Sequence, residues 1–189
     1  EITGVTCDSR QVKEGYAFVC IKGTFGDGHN YAQTALEQGA AVVIAERDLG
    51  LESQIVVDNT HEEFANLSAK WFGNPSKKLK LIGVTGTNGK TSTTYMIKQI
   101  LETLGHKVGL IGTIQNMIGD EVIPAKNTTP GIYELSDLFA QMRDKGCEYV
   151  LMEVSSHALD QDRVKGIDFE AAVFTNLTQD HLDYHITMD

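Results

Sequence analysis

Residues 81–92 read LIGVTGTNGKTS, and this stretch decides the fold. An apolar run, a glycine turn and then Gly89-Lys90-Thr91 is the pattern of a strand feeding a phosphate-binding loop into a helix. Backbone N–H groups in such a loop converge on phosphate oxygens, and the helix N-terminus adds positive potential. Lys90 would reach the terminal phosphates as a point charge, and the Thr91 hydroxyl would sit on Mg²⁺. The usual spacing is G-x-x-x-x-G-K-[ST]. Here position 84 is valine, and the match is the shorter Gly86-Thr87-Asn88-Gly89-Lys90-Thr91, followed by Ser92. That departure points to a particular branch of ATP-binding proteins. A glycine turn with a chance lysine is the bland alternative, and the flanking strand and helix argue against it.

Working outward, short apolar runs at 17–21 and 40–45 read as buried strands, with a helix over 31–38 between them, ended by Gly39. Another strand covers 54–57. Thr60-His61-Glu62-Glu63 reads as a capping box opening a helix that carries Phe64, Leu67 and Trp71 and runs to about Phe72. Gly73-Asn74-Pro75-Ser76 stops it, and a domain boundary is expected near Lys78, giving domains of 1–78 and 79–189. After the phosphate loop, residues 91–104 are amphipathic, with Met96, Ile97, Ile100, Leu101 and Leu104 on one face and Gly105 at the end. A strand at 107–111, a hairpin over 114–123 turning at Gly119-Asp120, and a helix from Pro130 to about Lys145 follow. Residues 149–154 and 171–175 read as further buried strands. Strands alternating with helices predict an α/β fold: a small N-terminal α/β domain, then a P-loop domain with a mostly parallel sheet.

The whole chain narrows the function classes. Its 189 residues suffice for one large or two small domains. A net charge of −10, with no basic run above Lys77-Lys78-Leu79-Lys80, argues against a nucleic-acid partner. Cys7, Cys20 and Cys147 fit no ligand or disulfide spacing, which favours a reducing compartment. No signal peptide or long apolar span indicates export or membrane insertion. The chain starts at Glu1 without a methionine and stops at Asp189 in mid-pattern, so a fragment is expected.

Three further constellations carry candidate chemistry. Tyr149-Val150-Leu151-Met152-Glu153 is an apolar strand ending in a carboxylate. Ligands of a parallel sheet bind beyond the carboxyl ends of its strands, so Glu153 can face the same nucleotide and bind Mg²⁺. On this strand alone an acid capping the next turn is an even alternative; the phosphate loop upstream tips the reading to the metal. Thr175-Asn176-Leu177-Thr178-Gln179-Asp180-His181-Leu182-Asp183 is dense in polar groups just past a strand, as at a site. His181 suits a metal through neutral imidazole, although a lone histidine here is more often a surface or capping residue. Asn127-Thr128-Thr129-Pro130-Gly131 precedes a helix and suits an anion, with ordinary capping the better local account. Ser155-Ser156-His157, Gln161 and Arg163 offer donors, and Arg163 could clamp a phosphate or form an exposed salt bridge. The G-x-S-x-G elbow is absent, so a nucleophilic serine is not expected. Asp8-Ser9-Arg10 and the glycines of 23–28 read as loops that a ligand could approach closely, or as punctuation.

Taken in order, these elements resemble the Mur ligases of peptidoglycan assembly, and within them the MurE type. The resemblance rests on Asp8-Ser9-Arg10-Gln11-Val12, GVTGTNGKT at 83–91, Asn127-Thr128-Thr129-Pro130, Glu153-Val154-Ser155-Ser156-His157 and NLTQDHLDYH at 176–185, which together span nearly the full chain. The phosphate loop alone also admits folylpolyglutamate synthetases.

The resemblance implies a cytoplasmic, monomeric enzyme of three domains that joins a diamino acid, meso-diaminopimelate or L-lysine, to UDP-MurNAc-L-Ala-D-Glu with ATP, through an acyl phosphate. It implies that Gly86, Thr87, Asn88, Gly89, Lys90, Thr91 and Ser92 hold ATP, and that Thr91, Glu153 and His181 serve magnesium. Lys90, Glu153 and His181 would be catalytic. Ser9 and the loop with Thr24 would meet the UDP moiety. Asn127, Thr128, Thr129, Ser155, Gln161 and Arg163 would hold the rest of the substrate. The family's modified lysine and its amino-acid domain would lie past Asp189, so the fragment is expected to be inactive alone. A non-catalytic nucleotide- or UDP-sugar-binding module and a motion-coupled P-loop NTPase are the other readings.

Overall fold

The apolar runs become parallel strands in both halves of the chain. The structure, a computed structural model, describes residues 1–23 and 26–187 and comprises two units, Glu1–Asn74 and Pro75–Asp189.

In the first unit the chain forms β1 (Gly4–Thr6), β2 (Tyr16–Val19), β3 (Lys22–Gly23), β4 (Gly26–Asp27), α1 (Ala32–Glu37), β5 (Val42–Ala45), β6 (Gln54–Val56) and α2 (Thr60–Trp71). Strands β1, β2, β5 and β6 lie side by side in that order, all parallel. Phe18, Cys20, Val43 and Ala45 pack with Ala32 and Ala35 of α1, whose small side chains let the helix lie close to the sheet. The helix is shorter than expected because Gly28–Tyr31 winds as a tighter 3₁₀ turn. The cap of α2 is also corrected. Asn59, not Thr60, caps the helix, accepting from the Glu62 N–H at 2.9 Å. The Glu46 carboxylate takes both the Thr60 N–H and its hydroxyl at 2.9 Å each, which draws Thr60 into the first turn.

The second unit forms β7 (Lys80–Thr85), α3 (Lys90–Thr103), β8 (Val108–Ile111), β9 (Asn116–Ile118), β10 (Glu121–Ile123), α4 (Ile132–Asp144), β11 (Tyr149–Glu153), α5 (Ser156–Asp160), β12 (Ala171–Phe174) and α6 (Leu182–His185). The sheet order is β10-β9-β8-β11-β7-β12. Strands β8, β11, β7 and β12 run parallel, and the β9–β10 hairpin, turning at Gly119-Asp120 as expected, adds an antiparallel edge. Alternation along each strand feeds two layers. Leu81, Ile111, Val150 and Met152 meet Leu135, Phe139 and Met142 of α4. Val108, Leu110, Leu151 and Ile82 meet Tyr95, Ile97 and Leu101 of α3.

Three expectations for this unit change. Met96, Ile100 and Leu104 are exposed, whereas Ile97 and Leu101 pack with the core. The helix instead buries Thr94 and the stem of Lys98, whose ammonium meets Glu102 at 2.5 Å. Strand β12 is not buried: among the described residues it pairs with β7 alone, and Ala171, Ala172 and Phe174 are exposed. Pro130 stands before α4, and Gly131 is the cap.

Candidate active site

Strand β7 ends at Thr85, and β8 and β11 end beside it at Ile111 and Glu153, so the three carboxyl ends open onto one place. From β7 the loop passes through Gly86, with a left-handed φ of 125°, and Gly89, at 87°, conformations that glycine adopts without strain. Gly89 is the N-cap of α3 and brings no side chain to satisfy the helix's first N–H groups. Lys90 folds back along the loop, donating from Nζ to the carbonyl oxygens of Gly86 at 2.7 Å and Thr87 at 3.0 Å. Two of its three protons are so engaged, which points the ammonium along the loop.

Glu153 is 1% exposed. Its Oε2 accepts from the Thr91 hydroxyl at 2.9 Å and the Thr113 hydroxyl at 3.0 Å, and its Oε1 accepts from the Thr113 N–H at 3.1 Å. Among the described residues these partners are all neutral. A buried carboxylate held only by neutral donors leaves its charge uncompensated, which a cation would relieve. Gly112 lies close beside it: a Cβ there would meet the Glu153 carboxylate, which would have to shift.

The residues expected to hold a second ligand form their own network. Thr129 is 1% exposed; its hydroxyl donates to the Glu153 carbonyl at 2.8 Å and accepts from the Ser155 N–H at 3.0 Å. Arg163 donates to Thr129 O at 2.8 Å and to Gln161 Oε1 at 2.9 and 2.6 Å, and Gln161 donates to the Tyr184 hydroxyl at 3.0 Å. Thr128 joins through its hydroxyl, 3.1 Å from that of Thr113, while Asn127 is exposed nearby in the chain. Thr113 therefore touches both the carboxylate and this second network.

Two family profiles match this chain. "Mur ligase middle domain" covers residues 84–189, and "Mur ligase family, catalytic domain" covers residues 1–76. The chain belongs to the Mur ligase family. Among curated relatives of this Mur ligase, UDP-N-acetylmuramoyl-L-alanyl-D-glutamate--2,6-diaminopimelate ligase of Bacillus cereus is 52% identical over 190 positions, taking in 100% of the chain and 39% of the relative. A solved structure of a ligase with the same name has a TM-score of 0.85 at 31% identity, covering 99% of the chain and 38% of that structure. MurF of Thermotoga maritima, solved in complex with ADP, has a TM-score of 0.59 at 25% identity, covering 97% of the chain and 40% of that structure. The chain thus spans about two fifths of the length of these relatives.

Within this Mur ligase chain the expected groups converge unequally. Lys90, Thr91 and Glu153 come together, as do Thr129, Ser155, Gln161 and Arg163. His181 does not join the first set. Its ring meets that of His157 edge-on, with centroids 4.8 Å apart, and its Nε2 lies 3.6 Å from Asp180 Oδ2. Among the described residues no group of three or more His, Cys, Asp or Glu side chains is placed to hold a metal ion. Burial, then the neighbouring His181 and His185, hold the His157 imidazole below its ordinary pKa. In the first unit, half-buried Ser9 follows Asp8, which caps a 3₁₀ turn and binds Arg10. Thr24 lies outside the described residues.

Sequence reasoning missed Gly112, Thr113 and His29. Their signal is positional: Thr113 lies just past the end of a strand that only the sheet order puts beside Glu153. His29, 5% exposed, accepts from the Glu46 N–H at 2.9 Å through Nε2, so its Nδ1 carries the proton shared with Asp27 at 2.5 Å.

Proposed function

We propose that this chain is part of an ATP-dependent amide ligase of peptidoglycan precursor synthesis, adding 2,6-diaminopimelate to UDP-MurNAc-L-Ala-D-Glu. The observation that carries the reading is the buried Glu153 carboxylate, bonded to the hydroxyl of the phosphate-loop residue Thr91. The names of the relatives support the substrates, and the free cysteines and the absence of a membrane-crossing helix among the described residues fit a cytoplasmic enzyme.

The substrate's D-glutamyl carboxylate attacks the γ-phosphorus of ATP, the bond to the β-phosphate oxygen breaks, and ADP leaves an acyl phosphate. The amine of the diamino acid then adds to the acyl carbon, loses a proton and expels phosphate, forming the amide. The first step brings two anions together, so positive groups held in place supply much of the catalysis. The first turn of α3 offers N–H groups to the phosphates, and Lys90 adds a charge. Thr91 and Glu153 present a hard-oxygen set that fits Mg²⁺, which would neutralise phosphate charge when bound. Thr128, Thr129, Ser155, Gln161 and Arg163 would orient the muramoyl peptide beside them, and Ser9 with the Thr24 loop would hold the UDP end.

The full-length protein should release phosphate only with UDP-MurNAc-L-Ala-D-Glu, ATP, Mg²⁺ and 2,6-diaminopimelate all present. Equal release with dihydropteroate and glutamate would refute the reading in favour of a folate ligase.

A further inference from the structure

The phosphate loop is fastened from outside by residues 175–178, which follow β12. Asn176 is the centre of this clasp. Its carbonyl accepts from the Thr87 N–H at 2.9 Å. Its side-chain oxygen accepts from the Asn88 N–H at 3.1 Å, and its amide nitrogen donates to the Asn88 carbonyl at 3.0 Å. The Thr175 hydroxyl lies 2.7 Å from Asn88 O and 3.1 Å from Thr85 O. Thr87 Oγ1 accepts from the Thr178 N–H at 2.9 Å and stands 3.1 Å from Thr178 O. The fit is close: a Cβ on Gly86 would come within 2.8 Å of the Asn176 carbonyl.

We propose that Thr175 and Asn176 are positioning residues for nucleotide phosphates, holding the loop in its binding shape before the nucleotide arrives. The proposal rests on the nucleotide reading given above and extends it to residues with no assigned role. It divides the loop's donors. The Thr87 and Asn88 N–H groups are committed to Asn176 and do not face the phosphates. The N–H groups of Lys90, Thr91 and Ser92, in the first turn of a 14-residue helix, have no intrahelical partner and are the ones offered. Ordering a flexible loop on binding would weaken affinity, and the clasp meets that cost during folding.

The test is calorimetric titration of ATP with Mg²⁺ into the wild-type protein and three variants, Asn176→Ala, Thr175→Val and Thr175→Ser, with amide exchange at Thr87 and Asn88 followed without nucleotide. Thr175→Val keeps the shape and loses the hydroxyl; Thr175→Ser keeps the hydroxyl. Asn176→Ala and Thr175→Val should each bind ATP about tenfold more weakly, the scale of one or two lost hydrogen bonds, while Thr175→Ser binds like wild type. Both amides should be protected in the wild type and exchange faster in Asn176→Ala. Unchanged ATP affinity in Asn176→Ala and Thr175→Val, or a loss in Thr175→Ser equal to that in Thr175→Val, would overturn the proposal. Should Asn176→Ala fail to fold, the Thr175 pair decides alone. A wild-type protein that does not bind ATP overturns the nucleotide reading itself, and the clasp's role with it.

Discussion

Glu153 places a carboxyl group where charge is costly. Taking a carboxylate out of water costs several kcal/mol even after the surroundings relax, and each hydrogen bond to it returns roughly 1.5–3 kcal/mol. Its neutral donors keep the site folded, yet the negative potential is left for a cation to meet. Thr113 supplies two of those donors and also touches Thr128, so it links the carboxylate to the second network. Thr113→Val should lower turnover of the full-length enzyme about tenfold and raise the Mg²⁺ concentration needed for half activity, whereas Thr113→Ser should retain both. A Mg²⁺ titration of the variants checks this; identical curves for Val and wild type would remove Thr113 from the site.

At the scale of elements, local patterns were legible wherever local physics decides. The strand, loop and helix at 81–103, the hairpin about Gly119-Asp120 and the apolar run of β11 ending in Glu153 all follow from local pattern alone. What depends on neighbours was not legible. Residues 171–175 read as buried because they are apolar, but burial needs a layer packed on the sheet face, and at the sheet edge Ala171, Ala172 and Phe174 of β12 stay exposed. The expected α3 face of Met96, Ile97, Ile100, Leu101 and Leu104 has the right period, yet the sheet lies against Ile97 and Leu101 and leaves the other three exposed. The polar run after β12 stood out as a site; its first residues hold the loop, which only the β7–β12 pairing reveals. Capping was misassigned by one residue because Glu46, distant in sequence, claims Thr60. Asn59→Ala should therefore cost about 1 kcal/mol, read as a lower unfolding midpoint, and Thr60→Ala should act through Glu46 rather than through the cap.

At the scale of the molecule, the two units have separate cores. The first also has an acid sensitivity of its own. The Arg10 side chain, above all, holds Asp8 down from an ordinary 3.8 to about 2, and the His29 backbone N–H, then its ring, do the same for Asp27. Folding depresses both values, so the stabilisation is complete above about pH 4 and is lost as pH falls through about 2. Circular dichroism over that range should show first-unit structure weakening, with a shallower dependence in Asp27→Asn; a profile identical to wild type in that variant would contradict the assignment.

The central claim is that Lys90 and the buried carboxylate beside its loop serve phosphoryl transfer from ATP. Substrate-dependent phosphate release by the full-length enzyme carrying Lys90→Ala tests it most directly. The account predicts a loss of about a hundredfold or more, the scale expected when one fixed positive group is removed from a charged transition state. Release at the wild-type rate would contradict it.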